Sequence, residues 1–165
     1  MIIKLDKTKP AMGFPFDQLG SLTFFIGQNG AGKTELLDAI HYAHGIEKPI
    51  CLDPIDAGLH SRTVWGLLRY LRCRPKSFPP ILATTYNPCT IETGGNFYGP
   101  INAMNVWCVA RDRHDIYTGQ LSDHPEFETW QEEMSPGEMW SLFGEEWIIE
   151  EWKKTTHIPQ RKRKE

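Results

Sequence analysis

Eight consecutive residues combine the side chains and the spacing that phosphate binding requires. The stretch consists of Gly27, Gln28, Asn29, Gly30, Ala31, Gly32, Lys33 and Thr34, which fits the pattern of two glycines separated by four residues and followed by Lys and Thr. Glycine lets backbone N–H groups approach a polyphosphate closely, because no Cβ stands in the way. The Lys33 ammonium would reach the β- and γ-phosphates, and the Thr34 hydroxyl would bind Mg²⁺. We expect these residues to bind the phosphates of a nucleotide.

The residues on either side of this stretch predict the elements that would position it. Residues 22–26 form a short β-branched and aromatic run, which is typical of a strand entering such a loop. Residues 34–44 place apolar side chains at helical spacing, and Gly45 would end that helix. The helix would present its unpaired N–H groups and positive dipole end to the same anion. Strand, loop and helix therefore follow in the order that phosphate binding needs.

Two later stretches supply further polar groups at the ends of predicted strands. Residues 49–53 read as a buried strand ending in Asp53, the place where a second magnesium-binding carboxylate belongs. Residues 80–88 read as another strand, which stops at the polar turn around Tyr86. A helix is predicted between them, over Thr63–Leu71. Asp53 is therefore the candidate metal ligand alongside Thr34.

The three stretches together suggest a family. In order, the sequences IGQNGAGKT, CLDPIDAGLH and ILATTYNP resemble the ABC-type P-loop ATPases of the SMC and overcoming-lysogenization-defect (OLD) kind. Three later sequences are similar to the C-terminal part of small bacterial and phage members with an AAA ATPase domain: VWCVARDRHD, LSDHPEFETW and MSPGEMWSLFGEEW. The resemblance extends from about Leu22 to Trp147, and it implies ATP and Mg²⁺ as ligands.

The resemblance also implies a fold. It predicts an α/β, three-layer P-loop NTPase of the additional-strand class, with a mostly parallel sheet and short C-terminal helices. Strand 81–84 should lie between strands 23–26 and 50–53, and strand 105–110 should flank strand 23–26 on its other side. Two helices, over about 124–134 and 136–152, should pack at the C-terminus; Ser135, Pro136 and Glu138 form the pattern of a capping box at the start of the second. We expect one nucleotide-binding domain over residues 1–152.

Three departures from the family pattern concern hydrolysis. The family's water-orienting Glu is replaced by Pro54, and its phosphate-sensing His is replaced by Tyr86. Asp56 aligns with the family's second acidic position and is an alternative catalytic carboxylate. Only residues 35–52 separate Thr34 from Asp53, which leaves no room for the family's arm and Ser-Gly-Gly-type signature. Asp53, Asp56 and Tyr86 are thus the candidate catalytic residues.

These features leave more than one function open. The first is an ATP-binding domain whose hydrolysis is slow or depends on a partner. The alternative is a nucleotide sensor or assembly module that does not hydrolyse ATP and that serves a nuclease, a toxin or a larger ATPase. A protein partner or a second copy would bind through the segment Asp56–His60. A third hypothesis is a nucleic-acid-binding protein with a vestigial loop, although the net charge of −3 disfavours it.

Composition narrows these hypotheses further. No apolar stretch of the 165 residues is long enough to span a bilayer, and we expect no membrane contact and a cytoplasmic location. The four cysteines are expected to be buried and reduced.

Residues 153–165 are almost purely basic and are predicted to form a disordered tail, with a contact to nucleic acid or an acidic partner as the alternative. The late aromatic residues are expected to pack in the core or an interface, because they lie among glutamates.

Overall fold

A central sheet of six strands organises the protein. The computed structural model describes residues 1–5, 14–43, 49–75, 77–92 and 105–156. The strands are β1 (Ile3–Leu5), β2 (Leu22–Ile26), β3 (Ile50–Leu52), β4 (Ile81–Thr85), β5 (Val106–Asp112) and β6 (Asp115–Gln120). Their spatial order is β1-β6-β5-β2-β4-β3. The pairs β5–β2, β2–β4 and β4–β3 are parallel, whereas β1–β6 and β6–β5 are antiparallel. The fold is therefore α/β with a mostly parallel sheet.

Helices pack on both faces of this sheet. They are α1 (Lys33–Ala43), α2 (Ser61–Arg72), α3 (Pro88–Glu92), α4 (Phe127–Trp130), α5 (Pro136–Phe143) and α6 (Glu146–Thr156). Successive residues of β2 point to opposite faces, so Phe24 joins one buried cluster and Phe25 the other. Leu36 and Ile40 of α1 belong to the second cluster, whereas α2, α3, α5 and α6 contribute to the first. Burial of both faces explains why all five residues of β2 are buried.

The predicted strand order is confirmed. Strand β4 lies between β2 and β3, and β5 flanks β2 on its other side. Two strands at one edge were not predicted, namely β1 and β6. Strand β1 has only three residues, and β6 joins β5 through a tight turn at Arg113, whose φ is 56°. A three-residue strand such as β1 carries little periodicity in the sequence, and four consecutive residues of β6 are buried, so β6 does not alternate between core and solvent.

The C-terminal helices differ from the prediction. The helix expected over residues 136–152 is two helices, α5 and α6, because Gly144 ends α5 with a φ of 65°. The helix expected over 124–134 is reduced to α4, which has four residues. The capping box at Ser135 and Glu138 is confirmed. Helix α6 continues to Thr156, so residues 153–156 of the predicted tail are helical, while residues 157–165 and Gly45 lie outside the described part of the chain.

The burial of other predicted core residues is mixed. Trp147 is buried, and several other late aromatics pack against the same core cluster, as expected: Phe127, Trp140, Phe143 and Trp152. All four cysteines are free, but only Cys108 is buried; Cys51 is half-buried, and Cys73 and Cys89 are exposed. The prediction of four buried cysteines was therefore wrong at Cys73 and Cys89, which lie at a helix end and in the first turn of α3. Among the helices in the described ranges, none combines the length and apolar character needed to cross a membrane.

Candidate functional site

The loop between β2 and α1 is packed so closely that glycine is required at two positions. A Cβ at Gly27 would lie 2.3 Å from the Val109 carbonyl oxygen of β5, and a Cβ at Gly32 would lie 2.6 Å from the Ile116 side chain. Gly32 also has a φ of +98°, which side chains disfavour. The glycine spacing read from the sequence therefore has a local cause, since the loop backbone passes directly against the strands β5 and β6.

Lys33, the first residue of α1, folds back over this loop. Its Nζ donates to the carbonyl oxygens of Gly27 and Gln28, at 2.8 and 2.9 Å. Burial lowers the pKa of Lys33 below its ordinary value of 10.5, while the nearby carboxylates of Asp53 and Glu145 act in the opposite direction. The ammonium is thus held at the loop by backbone carbonyls and by carboxylates on two sides.

Most of the predicted site residues, but not Gly27, Gln28, Ala31 or Asp56, line one cavity, which we call the Lys33 cavity. It has a volume of about 260 Å³. It is lined by Asn29, Gly30, Gly32, Lys33, Thr34, Glu35, Asp53, Pro54 and Tyr86. Because β2, β3 and β4 are parallel, their carboxyl ends meet at the same edge of the sheet, and this edge brings together residues that are far apart in sequence.

Asp53 follows directly after β3 and is oriented by a residue that the sequence did not indicate. The hydroxyl of Thr84, on the neighbouring strand β4, donates to Asp53 Oδ1. The Asp53–Pro54 peptide bond is cis. The sequence does contain a feature that points to Thr84, because two threonines stand at the carboxyl end of an otherwise apolar strand. Thr84 is buried, so its hydroxyl needs a partner inside the protein.

Asp56 is separated from the Lys33 cavity. Its Oδ2 accepts hydrogen bonds from the hydroxyls of Thr85 and Thr90, at 2.6 and 2.7 Å. Asp56 lines a neighbouring cavity of about 250 Å³, and it is not among the residues lining the Lys33 cavity. Tyr86 lines both cavities, and just over half of its surface is exposed. Pro54 and Tyr86 therefore line the Lys33 cavity, whereas Asp56 lines the neighbouring one and acts on Lys33 only through its charge.

The segment predicted to meet a partner also has a structural role. Leu59 exposes 43% of its surface. His60 caps α2, because its Nδ1 accepts the backbone N–H of Arg62. Capping explains why a side chain with a hydrogen-bond acceptor is found at this position.

Sequence reasoning missed Glu145, which contacts the glycine loop from the opposite side. It lies between α5 and α6, exposes 6% of its surface, and accepts the backbone N–H of Gln28 at 3.0 Å through Oε1. Burial raises the pKa of Glu145, and the Gln28 hydrogen bond opposes that shift. Nothing local in the sequence could connect residue 145 with residue 28, because only the packing of α6 on β5 and β6 brings them together.

The donor set of the Lys33 cavity fits a hard cation. The Thr34 hydroxyl and the Asp53 carboxylate supply oxygen atoms, which Mg²⁺ prefers. No cluster of three or more His, Cys, Asp or Glu side chains able to hold a metal occurs in the described ranges. Mg²⁺ commonly takes only one or two protein ligands and completes its shell with phosphate oxygens and water. Thr34 and Asp53 therefore suit a metal that arrives with a nucleotide.

Comparison with known protein families, with curated proteins and with solved structures finds no match to this chain.

Proposed function

We propose that the chain is an ATP-binding P-loop domain of the ABC/OLD-like kind, which binds ATP with Mg²⁺ and hydrolyses it slowly or only with a partner. One observation carries the proposal: Lys33, Thr34 and Asp53 line a single cavity together with the glycine loop. Each of these groups matches a different part of a magnesium-bound triphosphate, namely the phosphate oxygens for Lys33 and the metal for Thr34 and Asp53.

The electrostatics of the loop support an anionic ligand. The first turn of α1 lines the cavity through Lys33, Thr34 and Glu35, and a helix N-terminus carries a partial positive charge that favours anions. Lys33 itself lines this cavity, and its ammonium now contacts the carbonyls of Gly27 and Gln28. A triphosphate that replaced these neutral carbonyls would pair the ammonium with negatively charged oxygen atoms.

The expectation of slow hydrolysis rests on what surrounds Asp53. Pro54 offers no group that could orient or deprotonate water, and Tyr86 offers a phenol in place of an imidazole. Asp56 is engaged by two threonine hydroxyls beside a separate cavity. The same observations favour the second candidate, a nucleotide sensor or assembly module that binds ATP without turning it over.

Isothermal titration with Mg-ATP tests the binding proposal. The wild type should bind, and Lys33→Ala should weaken binding on the order of a hundredfold, since two charge-assisted hydrogen bonds would be lost. Lys154→Ala is a matched control, because Lys154 is an exposed lysine that pairs with Glu151 on the surface of α6. Absence of binding by the wild type at millimolar nucleotide, or equal affinity in the Lys33 variant, would refute the proposal.

Multiple-turnover phosphate release separates the two candidates. A slow or partner-dependent ATPase should release phosphate above background when protein and Mg-ATP are incubated for long times, and Asp53→Asn should abolish that release. A sensor should stay at background in both forms while still binding Mg-ATP.

A further inference from the structure

Positive and negative charges lie in different parts of this protein. From residue 57 to residue 91 the chain contains arginine and lysine but no aspartate or glutamate, whereas glutamate is the only charged residue type from Glu126 to Glu151. The first stretch includes α2, which connects β3 with β4 near one edge of the sheet. The second includes α6, which packs on β5 and β6 toward the other edge. The net charge of −3 is therefore the sum of a basic region and an acidic region.

Helix α2 turns an apolar face to the core and a basic, aromatic face to the solvent. The buried residues recur at helical spacing: Val64, Leu68 and Leu71. Arg62 and Arg69 are both exposed, and their separation of seven residues places them two turns, or about 10 Å, apart on the same side of the helix. Tyr70 exposes 73% of its surface beside them. Charged and aromatic side chains thus share the solvent face of one helix.

Gly66 leaves the middle of this face without a side chain. It lies four residues after Arg62 and four before Tyr70, so the three residues form one row along the helix. An added Cβ at Gly66 would have no atom of the described residues within 4 Å, so packing does not require glycine here. Glycine is unfavourable in a helix interior relative to alanine, and its usual benefit is the close approach of another molecule to the backbone.

Two guanidinium groups of this region lie over aromatic rings. Arg69 Cζ is 5.8 Å from the centroid of the Trp65 ring, and Arg74 Cζ is 5.6 Å from that of the exposed Phe78. Arg74 also donates to two backbone carbonyl oxygens, which fixes the orientation of its guanidinium. Arginine combines a planar group that stacks on rings with a fork of N–H donors that matches phosphate. The region therefore offers both kinds of contact that a nucleic acid strand needs.

We propose that the solvent face of α2, which we call the α2 surface, binds single-stranded nucleic acid. The α2 surface consists of Arg62, Gly66, Arg69 and Tyr70. The arginines would pair with phosphates, and the Tyr70 ring would stack on a base. Exposed rings favour a nucleic acid over an acidic protein, and a single strand over a duplex, in which the bases already stack on one another. None of these residues lines the Lys33 cavity, so the inference goes beyond ATP binding and does not depend on it.

Fluorescence anisotropy with a labelled oligodeoxythymidine of about 20 nucleotides tests the charge contacts, since single-strand sites cover about 4–16 nucleotides. The wild type should bind at about 50 mM salt, and the logarithm of the affinity should fall linearly with the logarithm of the salt concentration. The double variant Arg62→Gln/Arg69→Gln should weaken binding and reduce that slope by about 0.7 for each arginine that contacts a phosphate. Arg161→Gln/Arg163→Gln is the matched control, because it removes the same charge from the C-terminal tail and should leave the slope unchanged.

A second variant tests stacking. Tyr70→Ala should weaken binding by about 5- to 150-fold, the range for loss of one stacked base, without changing the salt slope. Tyr42→Ala is the control, since Tyr42 exposes 80% of its surface on α1, whose buried residues belong to the core cluster on the opposite face of the sheet. A duplex of matched length should bind more weakly than the single strand. Urea denaturation should give the same free energy of unfolding for Tyr70→Ala and Tyr42→Ala within experimental error, because both side chains are exposed.

Several results would overturn the inference. A wild type that does not bind the oligonucleotide, or a tail variant that weakens binding as much as the α2 variant, would remove its basis. Unchanged binding by Tyr70→Ala would exclude stacking at the α2 surface. If polyglutamate displaced the oligonucleotide at equal concentration of charge, the α2 surface would instead fit an acidic protein. Mg-ATP affinity should be the same in all these variants, so this inference and the proposed function can fail separately.

Discussion

The two sides of the glycine loop differ in kind. On the β4 side, the Lys33 cavity contains Asp53 oriented by Thr84, but also Pro54 and the half-exposed Tyr86. On the β5 side, the buried Glu145 carboxylate holds the loop through the Gln28 N–H, and its second oxygen has no hydrogen-bond partner among the described residues. Polar groups thus contact the loop from both sides, whereas the β4 side has a proline at the position where the proposed hydrolysis would need a polar side chain. Under the proposed function, holding a nucleotide and hydrolysing it would place separate demands on the same loop.

The largest effect is expected from restoring the missing acid. Pro54→Glu should raise the rate of ATP hydrolysis by about 10²–10⁴-fold, because a carboxylate beside Asp53 can orient and deprotonate water. Steady-state phosphate release measures the rate, and Mg-ATP affinity should stay within a few-fold of the wild type if the loop remains intact. If the wild type hydrolyses ATP briskly and Asp56→Asn abolishes that hydrolysis, then Asp56 is the catalytic base. The β4 side would in that case already have the group for hydrolysis that we expect it to lack.

The packing of the loop against the β5 side gives the next largest effect. Gly27→Ala should lower the free energy of unfolding by about 3 kcal/mol, because the new Cβ would collide with the Val109 carbonyl, which is backbone and cannot move aside cheaply. Chemical denaturation measures this change, and Mg-ATP binding should be lost in parallel. Gly66→Ala is the control. Gly66 lies in α2 with no atom within 4 Å of an added Cβ, so that variant should gain about 0.5–1 kcal/mol.

A smaller effect should distinguish metal binding from phosphate binding on the β4 side. Asp53→Asn should weaken binding of ATP in the presence of Mg²⁺ by about tenfold, because the amide is a poorer magnesium ligand than the carboxylate. Binding of ATP without Mg²⁺ should not weaken, since the mutation removes a negative charge near the phosphates. Titrations with and without Mg²⁺ give both values. If the two affinities fell together, Asp53 would be supporting the loop rather than the metal.

The smallest effect concerns Glu145 and pH. Burial raises the pKa of Glu145 above its ordinary value of 4.5, so the folded protein keeps the proton where the unfolded chain has lost it. This preferential proton binding adds to the free energy of unfolding. Its contribution is fully present below pH 4.5 and is lost as the pH rises through the raised pKa of Glu145. Glu145→Gln does not titrate, so its free energy of unfolding relative to the wild type should increase over this interval. Urea denaturation at several pH values measures it.

The same experiment has a contrasting outcome and a control. Glu150→Gln should show no such change with pH, because Glu150 is exposed. A relative stability of Glu145→Gln that does not vary with pH would mean that the Glu145 carboxylate is well solvated, and the β5 side would then hold no buried charge.

Much of the central sheet could be predicted from the sequence because its strands are buried on both faces. Strands β2 and β4 are buried at every position and mostly apolar, and the strand order expected from the resemblance is the one observed. The C-terminal part was predicted less well. The aromatic residues at helical spacing on both sides of Gly144 predict a single helix, yet Gly144 ends α5 with a φ of 65° and a separate helix, α6, begins at Glu146.

Some features of this protein depend on the local sequence, and others depend on long-range packing. The sequence by itself determined the glycine loop, Lys33, Thr34 and the strand-terminal Asp53, because each depends on neighbours within a few residues. Only the tertiary structure decided that Thr84 orients Asp53, that Asp56 faces a different cavity, and that Glu145 holds the loop. The physical reason is that hydrogen bonds and burial depend on distance in space, and the packing of α6 across the sheet joins residues that the sequence keeps far apart.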